Sequence, residues 1–310
     1  MDYEGSAELG CKYSFVRAGA MSDTNRQLLI ESEQLAARLG DERLRIFDAT
    51  VFLKPAEKGY LIESGIEAYQ REHIPGAAFM DQILALSDTD SGLAFTRPEA
   101  DYLQSALRHL GLNDDSEVVV YSTGHTMWAT RAWWLLHYAG HHRVCVLNGG
   151  FSGWLAGDRP RTVGDEHYPE GSFSVQTRDS RFVDQDQVLA AIGESGICTV
   201  NALHPGVYTG EAEMSYGRKG HISGSINLYY DDLLDGDRFR SAPELANVLQ
   251  GKGLLEAERV IAYCGGGISA TIDAFACLLC GKEEVAVYDG SMSQWVRDES
   301  LPMTLGGLPG

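Results

Sequence analysis

The chain carries the same order of short signals twice, and any fold it adopts has to satisfy both copies. His73-Ile74-Pro75-Gly76 in the first half returns as His221-Ile222-Ser223-Gly224 in the second. Each is followed by an apolar run ending in a tyrosine, Glu117 to Tyr121 and Val260 to Tyr263. Each half then closes on a tryptophan after a tight turn: Asn148-Gly149-Gly150-Phe151-Ser152-Gly153-Trp154, and Asp289-Gly290-Ser291-Met292-Ser293-Gln294-Trp295. Tyr121 and Trp154 stand almost as far apart as Tyr263 and Trp295. Matching order with matching spacing predicts an internal duplication.

Within each copy, apolar runs alternate with helical periods. In the first copy the pattern predicts helices over Leu28 to Leu39, Pro98 to Leu110 and Ala129 to Tyr138. Strands are predicted from Arg45 to Thr50, Glu117 to Tyr121 and Arg143 to Leu147. A Gly- and Glu-rich loop fills the space before His73. The second copy predicts helices over Phe182 to Ile192, Pro243 to Leu249 and Ala270 to Cys280, with strands at Ile197 to Asn201, Val260 to Tyr263 and Glu284 to Tyr288. Such alternation implies an α/β fold with a mainly parallel sheet flanked by helices in each copy. The expected boundaries are 25–158 and 172–310, joined by a linker over 159–171 where Gly, Pro, Asp and Arg gather. Residues 1–24 read as a loose extension.

One loop breaks the symmetry. Tyr263-Cys264-Gly265-Gly266-Gly267-Ile268-Ser269-Ala270 puts a cysteine between a strand end and a helix start. Backbone N–H groups there lack helical partners, and the helix dipole adds positive potential. The first anion they can hold is the cysteine's own thiolate. The first copy has Ser122 at the equivalent place, with His125 as the nearest possible base. A serine hydroxyl without a base is a poor nucleophile, so the first copy is expected to support the second and wall the cleft between them.

Charge and composition narrow the rest. With 44 acidic against 25 Lys and Arg residues the net charge is -19, which disfavours a nucleic acid or an anionic membrane as partner. No secretory signal or membrane span is expected. The six cysteines lack a disulfide framework, which suits a reducing, cytoplasmic setting.

On these residues the chain resembles the two-domain rhodanese-type sulfurtransferases, which include thiosulfate and 3-mercaptopyruvate sulfurtransferases. The resemblance spans roughly residues 28 to 302 and rests on the His73 turn, the Asn148 and Val287-Tyr288-Asp289-Gly290-Ser291 closures, and the Cys264 loop. It implies tandem rhodanese-like domains of which only the C-terminal one carries the nucleophile. It also implies a ping-pong reaction. Cys264 attacks the outer sulfur of a small anionic donor and becomes a persulfide; a thiol, cyanide or protein thiol then removes that sulfur. Gly265, Gly266, Gly267, Ile268 and Ser269 are expected to supply the donor groups around the sulfur, and neither metal nor organic cofactor is required. A monomer or homodimer is expected.

The chain departs from the family pattern at several positions. Thiosulfate enzymes usually carry basic residues directly after the cysteine, where Gly265 and Gly266 stand here. Mercaptopyruvate enzymes usually have serine or alanine at the position of Gly266; this tips the expectation slightly toward thiosulfate, with 3-mercaptopyruvate as the alternative. Two arginines common to both groups are replaced by Leu203 and Val207. Arg218 and Lys219 are the nearest substitutes for binding an anionic donor, with His73 and Trp128 as further candidates for the cleft. A non-enzymatic persulfide carrier or partner-binding module is the other reading. A phosphatase is disfavoured, because its Cys-x5-Arg loop would need arginine where Ala270 stands. Cys277 and Cys280 read as core thiols, and His141-His142 as a surface turn.

Overall fold

The computed structural model describes residues 27–56 and 59–307; the extension expected over 1–24, and Cys11 within it, lies outside the described residues. Two parallel five-stranded sheets organise the chain. In the first, the strands run spatially Leu29–Ile30, Val144–Leu147, Glu117–Tyr121, Leu44–Asp48, Ala77–Phe79. In the second they run Phe182–Val183, Val285–Tyr288, Arg259–Tyr263, Ile197–Asn201, Ile226–Asn227. Taken by position within each copy, the two orders are identical, so the duplication extends from sequence to topology.

The copies also share their fastenings. His73 Nδ1 lies 2.8 Å from the carbonyl of Tyr69, with its ring stacked on that tyrosine; His221 Nδ1 lies 2.9 Å from the carbonyl of Tyr208, again stacked. The next amide donates to the tyrosine that ends the central strand: Ile74 N–H to Tyr121 at 3.3 Å, Ile222 N–H to Tyr263 at 3.1 Å. Trp154 and Trp295 donate their indole N–H to the carbonyls of Pro160 and Pro302. A histidine repeated in both copies therefore pins a turn in both.

Helices Met127–Tyr138 and Ala270–Leu279 follow the two central strands and pack on each other. Both are apolar around nearly their whole circumference, as expected of helices covered on all sides. Thr130 and Thr271 share a buried 2.7 Å hydrogen bond, and Trp133 meets Phe275 edge to face at 4.9 Å. One apolar core thus runs from the first sheet through these helices into the second, and smaller clusters cover the outer faces.

Several elements differ from the sequence expectation. The helix expected over Leu28 to Leu39 is an edge strand, Leu29–Ile30, followed by a short helix, Ser32–Ala36. The one expected from Phe182 begins as a strand, Phe182–Val183, and turns helical only at Gln185, where Asp184 caps it. In both places a two-residue strand is too short to leave a period of its own. The Gly- and Glu-rich loop holds an antiparallel hairpin, Val51–Pro55 with Tyr60–Ser64, then a helix, Ile66–Arg71. His141 is buried against Phe173 rather than at the surface, because the chain after the first copy folds back over its turn. Among the described residues no helix is long and apolar enough to cross a membrane.

Candidate active site

Cys264 directly follows the central strand of the second sheet and is 2 % exposed. Its own backbone is held at both ends. The Cys264 N–H donates to Ser291 Oγ at 3.1 Å, and the Cys264 carbonyl accepts from Met292 N–H at 3.0 Å. Ser291 sits at φ 47°, costly for a residue with a side chain, and its hydroxyl also donates to the carbonyl of Tyr288. The first copy has the matching bond from Phe151 N–H to the carbonyl of Ser122, with Gly150 in place of Ser291 at φ 53°. That correspondence fixes Ser122 as the structural counterpart of Cys264.

The five residues after Cys264 form an open cup. Among the described residues the N–H groups of Gly265, Gly266, Gly267, Ile268 and Ser269 donate to no protein acceptor. A cluster of such amides at a strand–helix junction is an anion-binding nest. In the first copy two of the five equivalent amides are used: Thr123 N–H donates to Thr50 Oγ1 at 2.7 Å, and Met127 N–H to His125 Nδ1 at 3.1 Å. Ser122 Oγ is tied to the His125 carbonyl at 2.8 Å, so His125 does not serve it as a base.

The cup is braced from behind by the other copy. Arg131, 1 % exposed on helix Met127–Tyr138, pairs with Asp289 at 2.7 Å and donates to the carbonyls of Gly267 and Phe95. Asp289 also accepts the Arg97 N–H at 2.7 Å. Gly267 adopts φ +75°, and a Cβ there would stand 2.6 Å from the Asp289 carbonyl oxygen. At Gly265 a Cβ would overlap the Tyr216 hydroxyl. Burial first, and then the charge of Cys264, push the Tyr216 phenol well up, so it stays a neutral hydrogen-bond donor. Asp273, one helical turn into Ala270–Leu279, is wholly buried, with neither oxygen partnered among the described residues; burial chiefly, then Cys264, raises its carboxyl well above the usual range.

A cleft of about 310 Å³ opens over Cys264 between the copies. Gly265, Gly266, Ile268 and Ser269 line its floor, and Trp128 lines its wall. Gly267 lies beneath, with its carbonyl turned to Arg131. The expected donor-binding residues Arg218, Lys219 and His73 are not among those lining the cleft. Arg218 donates to the carbonyls of Asp298 and Leu301, which holds its guanidinium against the segment after Trp295. Lys219 is exposed, and His73 is sealed inside the first copy by its bond to Tyr69. Sequence reasoning did not single out Tyr216, Arg131 or Ser291 as parts of the site. A non-glycine residue at the place of Gly150 was the one available signal, pointing to Ser291. Among the described residues no group of His, Cys, Asp and Glu side chains is arranged to hold a metal, and Cys277 is a buried core thiol.

Comparison with known proteins bears on the family and the fold. A family described as the rhodanese-like domain matches residues 31–157 and 209–298. The chain is 30% identical over 276 residues to a 3-mercaptopyruvate sulfurtransferase of Escherichia coli (strain K12), covering 88% of this chain and 96% of that one. It is 34% identical over 268 residues to a thiosulfate sulfurtransferase of Mus musculus, covering 84% and 88%. The crystal structure of the 3-mercaptopyruvate sulfotransferase SseA from Escherichia coli superposes with a TM-score of 0.77 at 30% identity, covering 86% of this chain and all of that one. Tum1 from Saccharomyces cerevisiae also gives 0.77, at 25% identity, over 90% and 98% of the two chains.

Proposed function

Since the chain belongs to the rhodanese family of sulfurtransferases, we propose that Cys264 takes one sulfane sulfur from a small donor as a persulfide and passes it to a thiol or cyanide. The observation that carries this reading is the contrast between the two loops. Among the described residues the same scaffold leaves all five amides free around Cys264 and gives acceptors to the first and last of the five around Ser122. In the first half-reaction the Cys264 thiolate attacks the outer sulfur, and the donor's S–S or C–S bonding pair leaves with the donor remnant. The terminal sulfur of the persulfide then carries the negative charge, and the N–H groups of Gly265 to Ser269 are placed to receive it. In the second half-reaction the acceptor attacks that terminal sulfur, and Cys264 departs as a thiolate.

Thiosulfate and 3-mercaptopyruvate are the donors named for the relatives. The slight sequence preference for thiosulfate gains nothing from the cleft, whose lining offers neither donor an arginine or lysine among the described residues. Intact-mass measurement after incubation with each donor tests the proposal. Wild type is expected to gain the mass of one sulfur atom and Cys264→Ser none. The same gain in Cys264→Ser would overturn the persulfide at this residue. A wild-type persulfide that no small acceptor discharges would support the carrier reading instead.

A further inference from the structure

The cleft over Cys264 is chemically divided. Its floor is polar backbone, as described above. The first copy presents an apolar wall that includes Leu53, Tyr60, Ile62 and Trp128, and the second adds Met214 and Tyr216 beside the hydroxyls of Ser215 and Ser293. Among the described residues none of the lining side chains is Arg, Lys, His, Asp or Glu. The nearby arginines are committed elsewhere: Arg131 to Asp289 behind the cup, Arg97 to the Tyr138 hydroxyl at 2.8 Å, Arg218 to two carbonyls. A doubly charged donor would have to lose water on its outer end against largely apolar walls with no counter-ion among the described residues, which is costly. A donor with one charge at the reacting end and an apolar body fits both regions, because the amides face the charge and the walls face the body.

The hairpin strengthens this division. Tyr60 is 52 % exposed and Ile62 37 %, both on the strand Tyr60–Ser64 at the rim of the cleft. Large apolar side chains grouped in water beside a reactive group mark a surface that gains by covering something apolar. At about 310 Å³ the cleft matches a small organic molecule and is far larger than a sulfur oxyanion needs.

Building on the Cys264 persulfide reading, we propose that this cleft selects sulfur donors whose sulfane sulfur is attached to an aromatic or alkyl body, with a single negative charge at the reacting end. For an organic thiosulfonate the first step is balanced as follows. Cys264–S⁻ attacks R–SO₂–S⁻ at the outer sulfur, the new S–S bond forms, the old S–S bond breaks, and its electron pair leaves as the sulfinate R–SO₂⁻. The enzyme is left as Cys264–S–S⁻. Cyanide then takes the terminal sulfur as thiocyanate and restores Cys264–S⁻, so no outside oxidant or reductant enters.

Benzenethiosulfonate and methanethiosulfonate share the reacting head and differ only in the body, so their ratio isolates the walls. With cyanide as acceptor, wild type is expected to show kcat/KM at least about tenfold higher for the benzene compound, from the extra apolar area covered. The double variant Tyr60→Ser, Ile62→Ser changes two exposed side chains and is expected to fold; it should cut that ratio by about threefold or more. Equal rates for the two donors in wild type, no sulfur gained from either, or a ratio unchanged in the double variant overturns the inference. The persulfide reading fails separately, if Cys264→Ser turns either donor over.

Discussion

Arg131→Met is the perturbation that most directly tests how the reactive loop is held. The guanidinium is 1 % exposed and its ion pair with Asp289, 2.7 Å long, lies across the interface of the two copies. The substitution keeps most of the apolar stem and deletes three interactions: the pair itself, and the bonds to the carbonyls of Gly267 and Phe95. Asp289 retains the Arg97 N–H on one oxygen but loses its counter-ion. Removing one partner of a buried pair costs about 3–5 kcal/mol, because the remaining charge stays desolvated. With a urea m-value of about 3 kcal/mol/M, at the upper end for small proteins, the midpoint should fall by about 1 M or more. Tryptophan fluorescence reads this directly, since Trp133 and Trp134 are buried on the same helix as Arg131. The rate of persulfide formation should fall as well, because Gly267 loses its brace. In a double-mutant cycle with Asp289→Asn, the second change should cost far less in the Arg131→Met background than in wild type. A midpoint shift below about 0.3 M, or additive costs in the cycle, would refute the clamp.

Three further outcomes are expected. Gly267→Ala should cost roughly 2 kcal/mol or more, since φ +75° disfavours a side chain and the new Cβ would lie 2.6 Å from the Asp289 carbonyl. Gly266→Ala, whose Cβ would meet nothing closer than 3.9 Å, should stay within about 0.5 kcal/mol of wild type; urea titration of the two variants decides. Ser291→Ala removes the acceptor of the Cys264 N–H and should cost about 1–3 kcal/mol, whereas Ser291→Gly should recover about 1 kcal/mol by relaxing φ 47°, and both should slow persulfide formation. Burial pushes the Asp48 carboxyl up from 3.8 to about 6, so the folded chain holds this proton more tightly than the unfolded one. Stability from this group is full below about pH 4 and is lost as pH rises toward 6, by about 3 kcal/mol. Asp48→Asn should therefore flatten the profile between those values, and an unchanged slope in denaturation curves across that range would refute the assignment.

Much of the fold was legible because the duplication supplied two independent readings of each element. Glu117–Tyr121 and Ile197–Asn201 match their predicted bounds, and Ala270–Leu279 ends one residue short. The proposed nucleophile also stands out in the sequence, since a cysteine followed by three glycines at a strand end has little use in a core. The cleft was not. Its outer wall is a hairpin whose strands are largely exposed, so Tyr60, Leu61 and Ile62 lack the alternation that marks a half-buried strand. Arg218 and Lys219 looked suited to an anion because sequence distance places them near His221. Which way a loop side chain turns is decided by the carbonyls within its reach, and for Arg218 these belong to Asp298 and Leu301.

The two loops show how one scaffold gives two different local structures. In the first, Thr50 and His125 satisfy the amides of Thr123 and Met127, and Asp48 in turn fixes Thr50. In the second, the counterpart of Asp48 is Asn201, which bonds Leu203 N–H and leaves the Cys264 loop untouched. Unsatisfied amides at a largely buried loop each cost about 1–3 kcal/mol, so the open cup is expensive to hold in shape. It is held by groups that lie outside it: Ser291 and Met292 on the Cys264 backbone, Asp289 beneath Gly267, and Arg131 from the other copy. The first copy therefore does more than wall the cleft. Its arginine stabilises the shape in which the second copy's amides stay free, so loosening the interface should empty the site of activity before it unfolds either sheet.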